Sequence, residues 1–174
     1  MSRRRFVLLV AGVVVAAAGL ALALSPSGSG PGPGATGRAG PLFETSDLDN
    51  HPVALRDFRG HRVVLNFWAS WCQPCRAEFP VLKQLQASHP DVTVLGVVFQ
   101  DGDGSARAFL RTEGATWPGL RDPAGQIASA YGVHPKPGIP VSILLGPDGT
   151  IRARHLGPLE TSDVPTFLAA APAR

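Results

Sequence analysis

Two kinds of hydrophobic pattern alternate in the middle of the chain. Residues 63–69 and 92–99 form nearly continuous apolar stretches, which predicts two strands buried on both faces. Between them, residues 73–88 place apolar side chains at helical spacing, which predicts a helix. Pro80 lies inside this segment and should kink the helix. The pattern therefore predicts a β-α-β unit.

Shorter elements are predicted on both sides of this unit. Asp49 and Asn50 mark a turn between two short strands, and Asp122-Pro123 starts a helix that runs to about Tyr131. The other predicted elements are strands at residues 42–44, 53–55, 141–145 and 150–155, a turn at residues 146–149, and helices at residues 105–113 and 160–170. This order predicts an α/β fold with a mixed central sheet flanked by helices.

The first 24 residues predict a membrane segment. Residues 3–5 are all arginine, and residues 6–24 carry no charged side chain and approach the ~20 residues that cross a bilayer as a helix. A basic N-terminal flank stays in the cytoplasm, so the rest of the chain should be translocated. We expect residues 1–24 to form an uncleaved signal-anchor. The alternatives are a secretory signal cleaved near residues 21–23 and a twin-arginine export signal.

Residues 25–40 consist almost entirely of Ser, Gly, Pro and Ala and show no apolar pattern. Such a composition cannot bury a core, so we expect a flexible linker over residues 25–40 and a folded domain over residues 41–174. A linker of this length spans roughly 20–24 Å as a flexible coil. A spacer left after signal cleavage would have the same composition.

The charge distribution gives no support for nucleic-acid binding. The formal net charge of +3 comes from 16 Lys and Arg residues against 13 Asp and Glu residues. Three of the basic residues are the N-terminal arginines, so the rest of the chain is neutral. We therefore expect no nucleic acid among the partners of this chain.

The candidate chemistry lies between the first buried strand and the helix that follows it. Trp71, Cys72, Gln73, Pro74 and Cys75 stand there in succession and include both cysteines of the chain. At a helix N-terminus the first sulfur meets unpaired N–H groups that favour the thiolate, and a proline costs nothing there. The second sulfur lies about one turn along the helix. We predict a redox-active Cys72–Cys75 disulfide that exchanges with other disulfides.

A metal site or a purely structural disulfide explains the cysteine pair less well. Zinc sites take four ligands, and no second cysteine pair accompanies the scattered histidines at positions 51, 61, 89, 134 and 155. A disulfide between residues three apart closes too small a loop to gain much stability. We expect no metal and no cofactor.

Residues 67–80 resemble the active-site segment of the thioredoxin superfamily, and more narrowly its membrane-tethered TlpA/ResA/CcmG (DsbE) group. Asn66, Glu78 and residues 154–157 match further positions of that group, and the resemblance covers about residues 41–170. It implies a thioredoxin fold with an N-terminal hairpin and a central inserted strand–helix element. It also implies thiol–disulfide oxidoreductase activity, commonly on apocytochrome c before haem attachment.

The same group has a cis-proline shortly after a Tyr-x-Val segment, which corresponds to residues 131–133. Pro137 and Pro140 both lie in range. We choose Pro140 because it keeps the spacing to the following strand, which must pack in register. That choice implies a short insertion within residues 134–139, beside the active site.

These parts suggest a mechanism. Cys72 should attack a disulfide of the partner as a thiolate, and Cys75 should then resolve the mixed disulfide. Glu78 lies three residues beyond Cys75 and can share its helix face. The resemblance implies that Glu78 handles protons for the cysteines, and the alternative is a solvated surface glutamate.

Three further residues are candidates for substrate contact. Trp71 is expected to cover the sulfurs, with plain packing as the alternative, whereas Trp68 is expected in the core. Ile139 and Pro140 are expected to bind an extended substrate through backbone pairing. The alternative for Pro140 is a purely structural turn.

We expect the domain to act as a reductant. The Gln73-Pro74 pair adds no positive charge, and a less stabilised thiolate gives a more stable disulfide. The expected partners are disulfide-containing proteins such as apocytochrome c and a membrane electron donor of the CcdA/DsbD type. The alternatives are a general thiol oxidase or isomerase, a Sco-type copper-delivery protein and a peroxiredoxin.

Overall fold

The computed structural model describes residues 36–136 and 138–172. In that part of the chain the strands are β1 (Glu44–Ser46), β2 (Pro52–Ala54), β3 (Arg62–Trp68), β4 (Val92–Val98), β5 (Gly119–Leu120), β6 (Val141–Leu145) and β7 (Ile151–Leu156). The helices are α1 (Gln73–Ser88), α2 (Asp103–Glu113), α3 (Gln126–Ala130) and α4 (Val164–Ala169), and a 3-10 helix (Leu55–Phe58) follows β2.

The central sheet has five strands in the order β5-β4-β3-β6-β7. β3 runs parallel to β4 and antiparallel to β6. β5 extends the sheet in parallel beyond β4, and β7 extends it in antiparallel beyond β6. β1 and β2 form a separate antiparallel hairpin. The predicted mixed sheet and N-terminal hairpin are confirmed.

Alternate residues of β3 enter two different cores because successive side chains of a strand point to opposite faces. Val64 and Trp68 pack in the core that contains α1, α2 and α4. Leu65 and Phe67 pack in the core that contains α3. Every residue of β3 is buried, so the predicted two-sided burial of this strand is confirmed.

Helix α1 begins and ends at the predicted residues, with Pro74 in its first turn and Pro80 inside it. The ring of Phe79 packs at 5.4 Å from the ring of Trp68 and at 5.0 Å from that of Phe109, both edge-on. Edge-to-face contacts of this kind add stabilisation to the area that the rings bury. The aromatic cluster packs α1 against β3 in the core that also contains both cysteines.

Some predicted boundaries differ from the structure. The helix predicted from Asp122 begins at Gln126, because the Asp122 carboxylate accepts hydrogen bonds from the amides of Ile127 at 3.0 Å and Ala128 at 2.8 Å across an intervening turn. The helix predicted over residues 160–170 begins at Val164, after a turn. That turn is closed by the amide of Glu160, which donates to the Asp163 carboxylate at 2.9 Å.

β5 was not predicted from the sequence, because two residues are too few to show a period. It is held by its parallel pairing with β4. β5 and α3 lie between α2 and β6 and form a strand–helix element of the kind that the resemblance implies.

The predicted signal-anchor at residues 1–24 lies outside the described residues. Among residues 36–136 and 138–172, no helix is both long and apolar enough to cross a membrane. The last residues of the predicted linker pair with the β6–β7 hairpin, since the amides of Gly37 and Gly40 donate to the carbonyls of Ile151 and Gly149, both at 2.8 Å. The segment boundaries after residues 24 and 40 stay predictions.

Candidate active site

The two cysteines lie at the carboxyl end of β3, where the chain turns into α1. They form a disulfide with their Cα atoms 5.3 Å apart. Cys72 is the N-cap of α1, and its sulfur accepts a hydrogen bond from the amide of Cys75 at 3.1 Å. Pro74 has no N–H, so the amide of Cys75 is the backbone donor that the sulfur reaches in the first turn of the helix. The site therefore supplies a local donor to a Cys72 thiolate.

The two sulfur-bearing residues differ in exposure. Cys72 retains 4% of its accessible surface and Cys75 retains none. The cysteine at the helix terminus is thus the more exposed of the two. A partner disulfide can therefore approach Cys72, whereas Cys75 is reached through Cys72.

The peptide bond between Ile139 and Pro140 is cis, so the prediction that Pro140 is a cis-proline is confirmed. Pro137, the alternative, lies outside the described residues. The carbonyl oxygen of Ile139 is 3.9 Å from the Cys72 sulfur. The segment that leads into β6 thus borders the nucleophile, and backbone pairing of a substrate at Ile139 stays a prediction.

Trp71 and Trp68 have opposite environments although both flank the cysteine turn. Trp71 is 59% exposed, and its indole N–H donates to the carbonyl of Gln100 at 3.2 Å. Trp68 is fully buried, as predicted. An exposed indole directly before the reactive cysteine suits contact with a partner better than a place in the core.

Glu78 is fully buried, so the alternative of a solvated surface glutamate is wrong. Its Oε1 accepts a hydrogen bond from Asn66 Nδ2 at 2.7 Å, and its Oε2 accepts one from the amide of Leu159 at 3.0 Å. Burial raises the pKa of Glu78 to about 7, although these two donors oppose the rise. A carboxyl group with this pKa can exchange a proton near neutral pH.

The sequence analysis did not predict the hydrogen-bond network around Glu78. Asn66 also donates to the hydroxyl of Ser142 in β6 at 3.1 Å, and Ser142 is fully buried. A polar residue inside the apolar segment 141–145 was the only available signal for Ser142. Nothing in the sequence indicates which backbone amide reaches Glu78, because Leu159 is 81 residues away.

Charged groups near the cysteine turn do not favour a thiolate. Arg76 directly follows Cys75, but its guanidinium pairs with Glu113 and lies over the ring of Phe109 at 4.6 Å. Asp101 accepts a hydrogen bond from the amide of Ser70, at 2.6 Å. The turn before Cys72 therefore holds a carboxylate, and the neighbouring cation is neutralised elsewhere.

Comparison with known proteins agrees with this geometry. The model of the AhpC/TSA family matches residues 36–154. The thiol-disulfide oxidoreductase ResA of Bacillus thuringiensis subsp. konkukian is 32% identical over 117 residues, which are 66% of this chain and 66% of that protein. A thiol:disulfide interchange protein DsbE homolog of Paracoccus denitrificans is 42% identical over 58% of this chain and 53% of its own length.

The fold comparison points the same way. The crystal structure of a putative thiol:disulfide interchange protein DsbE from Chlorobium tepidum matches with a TM-score of 0.69 and 33% identity, over 78% of this chain and 94% of that one. The chain thus spans about two thirds of the ResA protein and about half of the DsbE homolog. The predicted thioredoxin fold and the resemblance to the ResA and DsbE group are confirmed.

Glu78→Gln should make the free energy of unfolding of the oxidised protein less dependent on pH. The folded-state pKa of about 7 lies above the ordinary value of 4.5, so Glu78 contributes stability that is complete below pH 4.5 and is lost as the pH rises through 7. The whole loss is on the order of 3 kcal/mol in the wild type, and the variant should lack it. Denaturant unfolding at pH 5 and pH 8 measures the difference.

The matched control is Glu160→Gln, which neutralises an exposed glutamate. It should leave the pH dependence of unfolding as it is in the wild type. Equal slopes in the wild type and in Glu78→Gln would contradict the raised pKa of Glu78.

Proposed function

The chain belongs to the AhpC/TSA family and is a thiol–disulfide oxidoreductase of the ResA/DsbE type, and on that premise we propose that it reduces disulfides of exported proteins. The observation that carries the proposal is the Cys72 sulfur, which accepts a hydrogen bond from one amide at the start of the helix that also carries the buried carboxyl group of Glu78. The arrangement provides a nucleophile, a resolving thiol and a proton acceptor along one helix.

The proposed reaction begins with the reduced pair. The Cys72 thiolate attacks one sulfur of the substrate disulfide, the substrate S–S bond breaks, and the other substrate sulfur leaves as a thiolate. Cys75 then loses its proton and attacks the Cys72 sulfur. The Cys72–Cys75 disulfide forms and the second substrate thiolate leaves. Two electrons have passed from the domain to the substrate.

Glu78 supports the second step in this proposal. Cys75 has no exposed surface, so water does not serve as a direct acceptor for its proton. Glu78 follows one turn later on the same helix, and its pKa of about 7 makes the carboxylate a base of suitable strength. When the domain is reduced again, Glu78 can return this proton to the Cys75 thiolate.

The charges around Cys72 support the reducing direction. Gln73 and Pro74 carry no charge, Arg76 is paired with Glu113, and Asp101 is bonded to the turn before Cys72. A thiolate without a neighbouring cation is less stable, so the dithiol is less stable relative to the disulfide. Such a pair donates electrons more readily than it accepts them.

The proposed substrates are exported proteins with an accessible disulfide, such as apocytochrome c. The exposed ring of Trp71 and the backbone of Ile139 border Cys72 on two sides and would contact an extended segment around the substrate disulfide. Re-reduction would come from a membrane electron donor of the CcdA/DsbD type. The names of the ResA and DsbE relatives support thiol–disulfide exchange as the reaction.

Residues 1–24 would anchor the domain on the outer side of the cytoplasmic membrane. The three N-terminal arginines and the uncharged stretch after them support this orientation. The predicted linker, up to the residues that pair with the β6–β7 hairpin, would let the domain turn between its donor and its substrate.

Cys75→Ser should accumulate a mixed disulfide between Cys72 and a peptide that contains an intramolecular Cys-x-x-Cys disulfide, because the resolving thiol is missing. Mass spectrometry of the non-reduced products identifies the linked residue. The matched control is Cys72→Ser, which should trap little peptide because Cys75 is buried. Preferential trapping through Cys75 would overturn the assignment of the nucleophile. If the wild type consumed peroxide as fast as it reduces disulfides, the protein would be a peroxidase and the proposed activity would be wrong.

The full-length protein should stay in the membrane fraction after carbonate washing, because an uncleaved apolar helix inserts stably. External protease should digest the cysteine-bearing domain in spheroplasts and leave it intact in sealed inverted vesicles. A soluble mature form that begins near Ser25 would contradict the anchor and establish the cleaved signal.

A further inference from the structure

One peptide group connects His155 to Glu78. The carbonyl oxygen of Pro158 lies 3.2 Å from His155 Nε2, and the amide of the same peptide, Leu159 N, donates to Glu78 Oε2 at 3.0 Å. A carbonyl oxygen can only accept, so His155 Nε2 carries the proton. The two hydrogen bonds run in series through one peptide unit, and hydrogen bonds in such a chain strengthen each other.

His155 reaches this peptide from the edge of the sheet. The register places Asn66 opposite Ser142 and Ser142 opposite His155, so these three residues lie in one row across β3, β6 and β7. Directly paired residues of neighbouring strands point to the same face. The row therefore lies on the face of the sheet that carries Glu78, and His155 is its outermost member with 26% of its side chain exposed.

We propose that His155 is a positioning residue for Glu78: its ring holds the Pro158–Leu159 peptide in the orientation in which the Leu159 amide stabilises the Glu78 carboxylate. His155 touches neither the sulfurs nor the substrate and acts only through this peptide. Its effect on catalysis rests on the proposed proton transfer between Cys75 and Glu78. Its effect on the pKa of Glu78 does not depend on that proton transfer.

Few charged groups compete for this role in the described part of the chain. Asn66 and the Leu159 amide, both neutral, are the groups hydrogen-bonded to the Glu78 carboxylate. The carboxylate of Asp163 lies 3.8 Å from His155 Nε2 and is the charged group that faces the ring. Arg154 precedes His155 but donates to the carbonyls of Tyr131 and Gly132, at 2.6 and 2.8 Å.

Loss of the ring should weaken the donor on Glu78 Oε2. Without His155 Nε2 the Pro158 carbonyl lacks this partner, and the peptide is free to turn its amide away from the carboxylate. A carboxylate that loses one of two donors binds its proton more tightly. We therefore expect His155→Leu to raise the titration midpoint of Glu78 by roughly half a unit to one unit.

Carbon-13 NMR of carboxyl-labelled glutamate tests this expectation on the full-length protein in detergent micelles. The oxidised form is used, so that no thiol titrates in the same range, and Glu78→Gln assigns the signal. His155→Gln is the rescue variant, because its side-chain amide can still donate to Pro158, and its midpoint should lie closer to the wild type. His51→Leu is the control, since that ring is 75% exposed and pairs with Asp47 in the β1–β2 turn.

An unchanged Glu78 midpoint in His155→Leu, in a protein whose amide spectrum is otherwise native, would overturn the proposal. Equal shifts in His155→Leu and His155→Gln would overturn it as well, because they would show no dependence on the donor. A shifted midpoint together with an unchanged pH profile for the attack of Cys75 on a Cys72 mixed disulfide would uphold the positioning by His155. The same result would refute the proton transfer in the proposed function.

Discussion

The burial of Cys75 at the start of α1 is the constraint on which the rest of the site depends. Residues three apart lie on one face of a helix, so a helix that buries Cys75 also buries Glu78. A buried carboxyl group needs hydrogen-bond partners, because an unpaired one is too costly. Asn66 in the central strand and the amide of Leu159 after β7 supply them. The position of one sulfur thus fixes polar groups in three separate segments.

In the proposed mechanism, this polar cluster links redox chemistry to protonation. The cysteine pair lies at the start of the helix that carries Glu78, and the pKa of Glu78 is about 7 because burial outweighs its two hydrogen bonds. The surrounding core is apolar and aromatic, with Trp68, Phe79 and Phe109 packed together. In the proposed mechanism, the chemistry of Cys75 depends on how Glu78 is held.

Two elements whose ends are marked by local sequence signals were predicted correctly. Helix α1 and strand β6 have the predicted bounds, because Pro74 and the apolar spacing mark one and the turn at residues 146–149 marks the other. Pro140 was also identified correctly from the register that β6 needs. Contacts between distant segments could not be predicted: β5 exists through its pairing with β4, and the environment of Glu78 depends on a strand register that brings Ser142 beside Asn66.

The reduction potential of the Cys72–Cys75 couple tests the central claim most directly. The full-length protein is equilibrated with dithiothreitol or glutathione buffers, and its thiols are then trapped and counted. A couple whose thiolate lacks a neighbouring cation should lie closer to the value of thioredoxin, about −270 mV, than to that of DsbA, about −120 mV. A potential near the DsbA value would contradict the claim that the domain is a reductant and would identify it as an oxidase.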